Sequence, residues 1–441
     1  MKLLFLSALS LSLSFALAHE GIIEEEFLVT DYNSSLIEEI QKHPDLTIDH
    51  MDQFSFELYG PKGTGKWLSK LTANFAPLTS TTKEHHTKDF AADYPSFAQV
   101  TKNLRSYVAM NPKIAKMFSI GKSVEGRDLW VVKISDNVDK DEVEPEFKYI
   151  SSMHGNEITG RELTQFFIKD LISGYGKDKR ITDLINNTEI FIMPSMNPDG
   201  SKRRQRANAR GYDLNRNFPD WENGDENTTK NRQPETVAVM NFQAKRQFAL
   251  SANFHGGAVV VNYPWDSTRK RHPFDKLIKE LSLAYADENP GMRNSRSFSR
   301  GITNGYDWYE LHGGMQDWSY NWHNDLQVTL EVSRDKWPRY SEIPSFYKDN
   351  KESMLVYMEA IHQGAGFKLP NQKSGSVTVF QDVNGKLQNR GTFGFQKGEF
   401  YKYLSVGEYI FKVKVNGEGT TRSMQMSVDK TVKPNGNILK L

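Results

Sequence analysis

FKYISSMHGNE, residues 147–157, is the stretch that decides the fold class of this 441-residue chain. Its first seven residues are typical of a buried strand, and Glu157 begins a segment, to Ser173, whose apolar residues recur at helical spacing. His154 and Glu157 therefore stand where a strand meets its helix. In open α/β sheets ligands bind at this junction, beyond the carboxyl ends of the strands.

The same alternation of strands and helices extends over residues 91–368. Further buried strands are predicted at 129–134, 190–195, 250–254 and 328–332, with a helix at 344–362. Strands that alternate with helices predict an α/β domain built on a mixed or parallel sheet.

Two regions of different texture flank this domain. Residues 19–90 fit a strand-helix-strand-helix unit that ends in a polar linker, Thr79–Lys88. This region is a pro-segment, a folding aid, a partner-binding unit or a plain α/β appendage. Residues 369–441 hold short alternating strands separated by turn dipeptides such as Asn384-Gly385, which predicts an all-β sandwich.

The composition excludes several classes of function. With 56 basic and 55 acidic side chains the net charge is +1, so no global field recruits nucleic acid or an anionic membrane. The chain has no cysteine, which excludes disulfides, thiolate metal sites and a cysteine nucleophile.

The first 18 residues resemble a signal peptide. Lys2 precedes an apolar run to Ala16, and Ala16-Leu17-Ala18 fits a cleavage site. We therefore expect a secreted or periplasmic protein, and the lack of cysteine favours a bacterial periplasm or medium. No later segment is long and apolar enough to predict a membrane span.

Two more strand ends carry residues suited to metal chemistry. His255 follows the strand at 250–254 and precedes two glycines, while Glu331 ends the strand at 326–331. Two histidines and one glutamate are a ligand set of catalytic zinc, which keeps a fourth position for water. A nearby carboxylate can take a proton from that water. Taken singly, each is more often a hydrogen-bonded turn histidine or a solvated glutamate.

A basic segment, residues 202–210, leads into Asp213-Leu-Asn-Arg216-Asn. An arginine beside an asparagine suits two-point recognition of a free carboxylate. A second arginine can stabilise an oxyanion. The alternative for such a basic run is a solvated loop.

Together these motifs resemble the zinc metallocarboxypeptidases, and most of all their N/E (regulatory) subfamily. The matching motifs are His154-Gly-Asn-Glu157, Asn197-Pro-Asp-Gly200, Asp213-Leu-Asn-Arg216-Asn-Phe, His255-Gly-Gly, Gly301-Ile-Thr-Asn-Gly305, Gly313-Gly-Met-Gln-Asp-Trp318 and Glu331. The resemblance implies a mixed sheet flanked by helices, followed by a transthyretin-like β-sandwich. It also implies hydrolysis of the last peptide bond of peptides or proteins, with Zn²⁺ as cofactor.

The resemblance further assigns roles to single residues. His154, Glu157 and His255 would bind zinc; Asn215 and Arg216 would hold the substrate's terminal carboxylate beneath Tyr309; Glu331 would be general base and acid; and Asp213 would orient His154. Arg206 would polarise the scissile carbonyl, because Arg206-Ala-Asn208 keeps the family's spacing, with Arg204 as the alternative.

The position of Asp266, eleven residues after His255, matches the acidic residue that gives basic specificity in the N/E subfamily, and Gln316 matches its polar neighbour. We therefore expect a monomer that releases Lys or Arg. The alternatives are a zinc peptidase for cell-wall or acidic peptides and an inactive carboxypeptidase-like binding protein. Residues 19–90 are foreign to the N/E layout and resemble the pro-segments of the digestive subfamily, so latency is a further expectation.

Overall fold

The computed structural model describes residues 22–43, 45–78, 94–370, 372–429 and 437–440. The predicted signal peptide and the linker Thr79–Lys88 lie outside the described residues.

Residues 22–78 form a small α/β unit, here called the N-terminal unit. Its elements are β1 (Glu25–Thr30), α1 (Ser34–Gln41), β2 (Thr47–Asp49), β3 (Ser55–Gly60), α2 (Thr64–Leu68) and β4 (Phe75–Pro77). The strands pair antiparallel in the order β2-β3-β1-β4. The second strand of the predicted strand-helix-strand-helix pattern is in fact two strands, β2 and β3, because the Asp52 carboxylate accepts the backbone N–H groups of Phe54 and Ser55 and turns the chain between them.

The central region is built on eight strands in the order β11-β10-β12-β9-β7-β8-β6-β5. Their bounds are β5 (Ala115–Lys122), β6 (Asp128–Ile134), β7 (Glu146–Ser151), β8 (Glu189–Met193), β9 (Phe248–His255), β10 (Val259–Tyr263), β11 (Ile302–Asn304) and β12 (Leu326–Val332). The pairs β8-β7, β7-β9, β9-β12 and β10-β11 are parallel, whereas β5-β6, β6-β8 and β10-β12 are antiparallel. The predicted mixed sheet is confirmed.

Helices cover both faces of this sheet. They are α3 (Phe97–Met110), α4 (Thr159–Gly174), α5 (Lys179–Ile185), α6 (Pro198–Arg203), α7 (Pro234–Gln243), α8 (Asp275–Glu288), α9 (Pro290–Arg293), α10 (Gly305–Trp308), α11 (Met315–His323) and α12 (Ile343–Glu359). Alternate strand residues point to opposite faces. Accordingly Ile190 and Ile192 pack with α4, α8 and α12, whereas Phe191 belongs to a second core with α7 and α11.

The C-terminal region consists of β strands. They are β13 (Gly364–Lys368), β14 (Gly375–Val383), β15 (Lys386–Phe395), β16 (Glu399–Tyr403), β17 (Gly407–Val415), β18 (Thr421–Val428) and β19 (Ile438–Lys440). They form a four-stranded antiparallel sheet, β15-β14-β17-β18, and a three-stranded sheet, β16-β13-β19. Because β13 pairs with β16, the sheets begin before the expected boundary at residue 369.

One buried lysine joins this region to the central one. Lys402 of β16 is 2% exposed, and its Nζ donates to Asn324 at the end of α11. The Nζ also lies 4.0 Å from the centre of the Phe393 ring and 4.8 Å from that of Tyr320. Within the described part of the chain, no carboxylate forms an ion pair with it. Burial alone therefore holds the pKa of Lys402 well below its usual value.

Candidate active site

Three side chains meet at the carboxyl end of the parallel strands. His154 follows β7, Glu157 precedes α4, and His255 is the last residue of β9. The Nδ1 of His154 lies 3.0 Å from both Glu157 Oε1 and His255 Nδ1, and the latter lies 2.9 Å from Glu157 Oε2. Ligand atoms about 2 Å from a tetrahedral zinc ion stand about 3.3 Å apart. The facing nitrogens and the carboxylate therefore fit one zinc ion.

Asp213 fixes the orientation of the first ligand. Its Oδ1 lies 2.9 Å from His154 Nε2, which leaves Nδ1 for the metal. Burial opposes ionisation of this carboxyl, but the charges of Arg206 and His154 hold the pKa of Asp213 well below its usual range.

Glu331 stands beside the metal ligands through strand register. It lies on β12 directly opposite His255 of the parallel strand β9. Burial and the nearby carboxylates of Glu157 and Asp49 raise the pKa of Glu331 well above its usual value. Its Oε2 is buried, and the described residues offer it no hydrogen-bond partner. Such a group is a strong proton acceptor next to the metal site.

The structure distinguishes the two candidate arginines. Arg206 is 1% exposed, and it donates from Nε to Asp213 Oδ2 at 2.9 Å and from Nη1 to Glu157 Oε1 at 3.3 Å. Arg204 instead lies over the ring of Trp337, with 5.0 Å between the guanidinium carbon and the ring centre. Only Arg206 therefore contacts the metal-binding residues.

The predicted carboxylate clamp follows Asp213 in a 3₁₀ turn, Leu214–Arg216. The Asn215 Oδ1 accepts the backbone N–H of Met315 at 3.1 Å, which fixes the amide against α11. The Arg216 Nη1 donates to the Asn215 backbone carbonyl at 3.1 Å, which holds the guanidinium beside the main chain of Asn215.

This cluster agrees with a family match. The model of the family described as zinc carboxypeptidase matches residues 100–353. The chain belongs to the zinc carboxypeptidase family. It is therefore a metallocarboxypeptidase, a hydrolase with zinc as cofactor.

Individual relatives agree with this membership. The chain is 39% identical to mouse carboxypeptidase M over 80% of its own length and 82% of that protein. It is 36% identical to human carboxypeptidase D over 85% of its length, but spans only 28% of that longer protein. In fold it resembles the solved structure of carboxypeptidase A from Helicoverpa armigera, with a TM-score of 0.61 and 18% identity over 76% of this chain and 96% of that one. It also resembles the structure of thrombin-activatable fibrinolysis inhibitor, with a TM-score of 0.56 and 18% identity over 76% of this chain and 97% of that one.

Asp266 and Gln316 lie together beside the clamp of this carboxypeptidase. The Gln316 Nε2 donates to Asp266 Oδ1 at 3.0 Å. Two glycines border the carboxylate: a Cβ on Gly305 would lie 1.7 Å from Asp266 Oδ1, and one on Gly314 would lie 3.7 Å from Oδ2 and 3.6 Å from Asn215 Oδ1. Burial and the charge of Asp317 raise the pKa of Asp266 well above its usual value.

The sequence did not indicate that the N-terminal unit reaches into this site. Asp49, at the end of β2, accepts from Arg206 Nη1 at 2.5 Å and from the Tyr309 hydroxyl at 2.9 Å. The Ile48 carbonyl accepts from Arg216 Nη2 at 3.2 Å. Burial opposes the charge on Asp49, but Arg206 and His50 lower its pKa to about 2.

A second set of contacts holds the unit beside the metal site. Lys336, five residues after Glu331, donates to Glu57 at 2.5 Å and to the Tyr59 hydroxyl at 2.9 Å. The ring of His50 lies against Gly257, where an added Cβ would come within 2.1 Å of its Nε2. No pattern in the sequence pairs residues so distant along the chain.

Each helix in the described ranges is too short or too polar to cross a lipid bilayer.

Proposed function

We propose that this carboxypeptidase releases C-terminal lysine and arginine from peptides. The observation that carries the proposal is the buried Asp266 carboxylate, which lies beside the Asn215–Arg216 clamp in a space bordered by Gly305 and Gly314. A substrate whose terminal carboxylate is held by Arg216 can pair its cationic head with Asp266. The methylene groups of lysine or arginine would then contact the walls of the pocket.

The chain's own residues divide the chemistry between them. Zinc, when bound, supplies a Lewis acid and a water of lowered pKa. Glu331 would accept a proton from the attacking water on its carboxylate and return it to the leaving amine. Arg206 holds the scissile carbonyl oxygen as negative charge develops on it. Asn215 and Arg216 bind the terminal carboxylate, and Tyr309 closes over it.

The test uses peptides that differ only in a final Arg, Lys, Phe or Glu. We expect the Arg and Lys peptides to be cleaved fastest, and Asp266→Ala to remove most of that preference with zinc content unchanged. Asp307→Ala, a change of an exposed carboxylate in the neighbouring α10, is the matched control and should keep it. A wild-type preference for Phe contradicts the proposal. A preference for Glu supports the alternative of acidic peptides, and no turnover at all supports an inactive binding protein.

We further propose that residues 19–90 are an inhibitory pro-segment. In support, Asp49 engages the two residues assigned to the carbonyl and to closure, Arg206 and Tyr309, while the Ile48 carbonyl lies on Arg216. Substrate and β2 therefore compete for the same donors. Proteolysis within the linker Thr79–Lys88 should raise the activity of the full chain. An unchanged or abolished activity would make the unit an integral part of the enzyme.

The remaining assignments are also proposals. A signal peptide at residues 1–18 would place the protein outside the cell or in the periplasm. The C-terminal β region, residues 369–441 by sequence and from β13 by strand pairing, would have a structural or interaction role, and the protein would be a monomer. Sequencing the N-terminus of the exported protein and measuring its mass in solution test these assignments.

A further inference from the structure

A cavity of about 440 Å³ lies between the start of α3, strand β6 and α6. None of the residues assigned to zinc, catalysis or substrate lines it within the described ranges. Its walls are aromatic, with Tyr94, Phe97, Trp130 and Trp337 facing it. Tyr94 packs on Trp337 with 5.2 Å between the ring centres, which makes this side of the cavity a firm apolar surface.

The charge around this cavity is mostly positive. Arg127, Arg161, Lys202 and Arg204 line it, against one lining carboxylate among the described residues, Asp128. Arg127 and Arg161 form ion pairs with Asp199 and Glu162, and Asp128 pairs with Lys122. Arg204 differs from Arg127 and Arg161, because no carboxylate of the described chain lies within ion-pair distance of it; the same holds for the exposed Lys202. The Arg204 guanidinium lies over Trp337 at the cavity wall.

The backbone at Arg204 supports a role for this side chain. Arg204 caps α6 with a φ of +53°, in the left-handed region where glycine is the usual residue. A side chain in this conformation costs about 1 kcal/mol or more. The chain thus places an arginine where glycine would be less strained.

Two buried hydrogen-bond donors at the cavity wall have no acceptor. The Trp337 Nε1 and Ser201 Oγ are buried, and neither has a partner in the part of the chain that is described. Both residues are more than nine-tenths buried, at 8% and 6% exposure. A buried donor without an acceptor is unfavourable. Neither atom is exposed to the cavity as the side chains stand, so a ligand oxygen beside Arg204 would reach them only after a small side-chain rearrangement.

We propose that this cavity binds a small organic carboxylate with an aromatic or apolar body. The carboxylate is held by Arg204, the Ser201 hydroxyl and Trp337 Nε1 turn toward it on binding, and the body lies against the aromatic wall. The site is connected to the zinc site through α6, whose backbone packs so closely on Gly155 that a Cβ there would lie 2.1 Å from the Gly200 carbonyl carbon. Because Gly155 follows the ligand His154, occupancy of the cavity changes the rate of peptide hydrolysis.

The test is calorimetric titration of the full chain with 4-phenylbutyrate and, as a probe of equal shape and opposite charge, 4-phenylbutylamine. We expect one phenylbutyrate to bind per chain. The affinity for the amine should be lower by roughly tenfold or more. Arg204→Gln should weaken phenylbutyrate binding roughly tenfold, whereas Arg204→Lys should keep part of it. Ser201→Ala should also weaken it.

Arg216→Gln is the control, because the substrate clamp is the other carboxylate site. Binding that is lost in Arg216→Gln and kept in Arg204→Gln would place the ligand in the substrate cleft and overturn the proposal. Equal affinity for the amine, or no binding of phenylbutyrate, would overturn it as well. If phenylbutyrate binds the cavity but leaves peptide turnover by the wild-type protein unchanged, the coupling through α6 is wrong.

Discussion

The hydroxyl of Tyr309 donates a hydrogen bond of 2.9 Å to the carboxylate of Asp49, a residue 260 positions earlier in the chain. The same carboxylate accepts from Arg206, so a single side chain of the N-terminal unit engages two of the groups assigned to substrate. An intramolecular ligand of this kind is held at high effective concentration. As part of the proposed pro-segment, it would therefore compete strongly with peptides in solution.

Asp49→Ala should activate the uncleaved chain. The change removes a charged partner of Arg206 and Tyr309, and such bonds contribute about 1.5–3 kcal/mol, so activity on a peptide ending in arginine should rise roughly tenfold or more. Asp52→Ala is the matched control in the same unit, because Asp52 only shapes the turn before β3. Equal activity of wild type and Asp49→Ala would show that β2 does not limit access.

Glu331→Gln should separate proton transfer from metal binding. The amide keeps the shape of the side chain but cannot accept the proton, so kcat should fall by about 10²–10⁴-fold or more while zinc stays bound. Metal analysis and turnover of the same sample measure the two effects. His255→Ala should instead lose zinc. Near-normal turnover by Glu331→Gln would exclude it as the base.

The preference for basic residues should weaken in acid. Burial and Asp317 raise the pKa of Asp266 in the free enzyme, so below that pKa the carboxyl is neutral. A cationic side chain binds the ionised form, and KM for an Arg substrate should therefore rise as the pH falls through this pKa. KM for a Phe substrate should not show the rise that protonation of Asp266 causes. The ratio of the two KM values, measured across pH, should become flat in Asp266→Asn.

Lys402→Met should stabilise the junction between the central and C-terminal regions. Replacing buried ionic groups by apolar side chains of similar volume is often neutral or stabilising, by up to about 4 kcal/mol for ion pairs, and Lys402 lacks even the compensation of a partner carboxylate among the described residues. The folded-state pKa of Lys402 lies below the unfolded value, so its cost is present at neutral pH and fades as the pH rises toward the unfolded pKa. Denaturant unfolding at neutral and alkaline pH should show a gain for the variant that shrinks at high pH. A destabilised variant would mean that the contacts of Lys402 with the surrounding rings and Asn324 stabilise the protein by more than the burial of its charge costs.

Local patterns, combined with the family resemblance of the motifs, were enough to predict the zinc site. His154, Glu157 and His255 each lie next to a strand end, and parallel strands bring such ends to one edge of the sheet. Sequence spacing favoured Arg206 over Arg204, but only the structure shows that Arg206 contacts the metal-binding residues while Arg204 ends α6 and lies over Trp337. The strand Lys386–Phe395 was missed because most of its residues are exposed at a sheet edge and show little apolar alternation.

The contacts of the N-terminal unit were beyond reach for a different reason. Asp49 looks like any acidic residue before a turn, and its partners lie more than 150 residues away. Local periodicity in the sequence cannot predict that Asp49 pairs with Arg206 and Tyr309. The sequence of the linker Thr79–Lys88, between the N-terminal unit and the central region, does not indicate where the unit docks.

The register between β9 and β12 sets the separation between Glu331, the proposed base, and the metal site. Glu331 and His255 are direct partners across two neighbouring parallel strands, whose backbones run about 4.8 Å apart. The catalytic spacing is thus a property of the main chain, and side chains elsewhere in these strands can diverge without altering it. A one-residue deletion in either strand, by contrast, would turn one of the two groups to the opposite face. Natural drift and directed evolution alike are therefore free to exchange residues in these strands, but not to change their length.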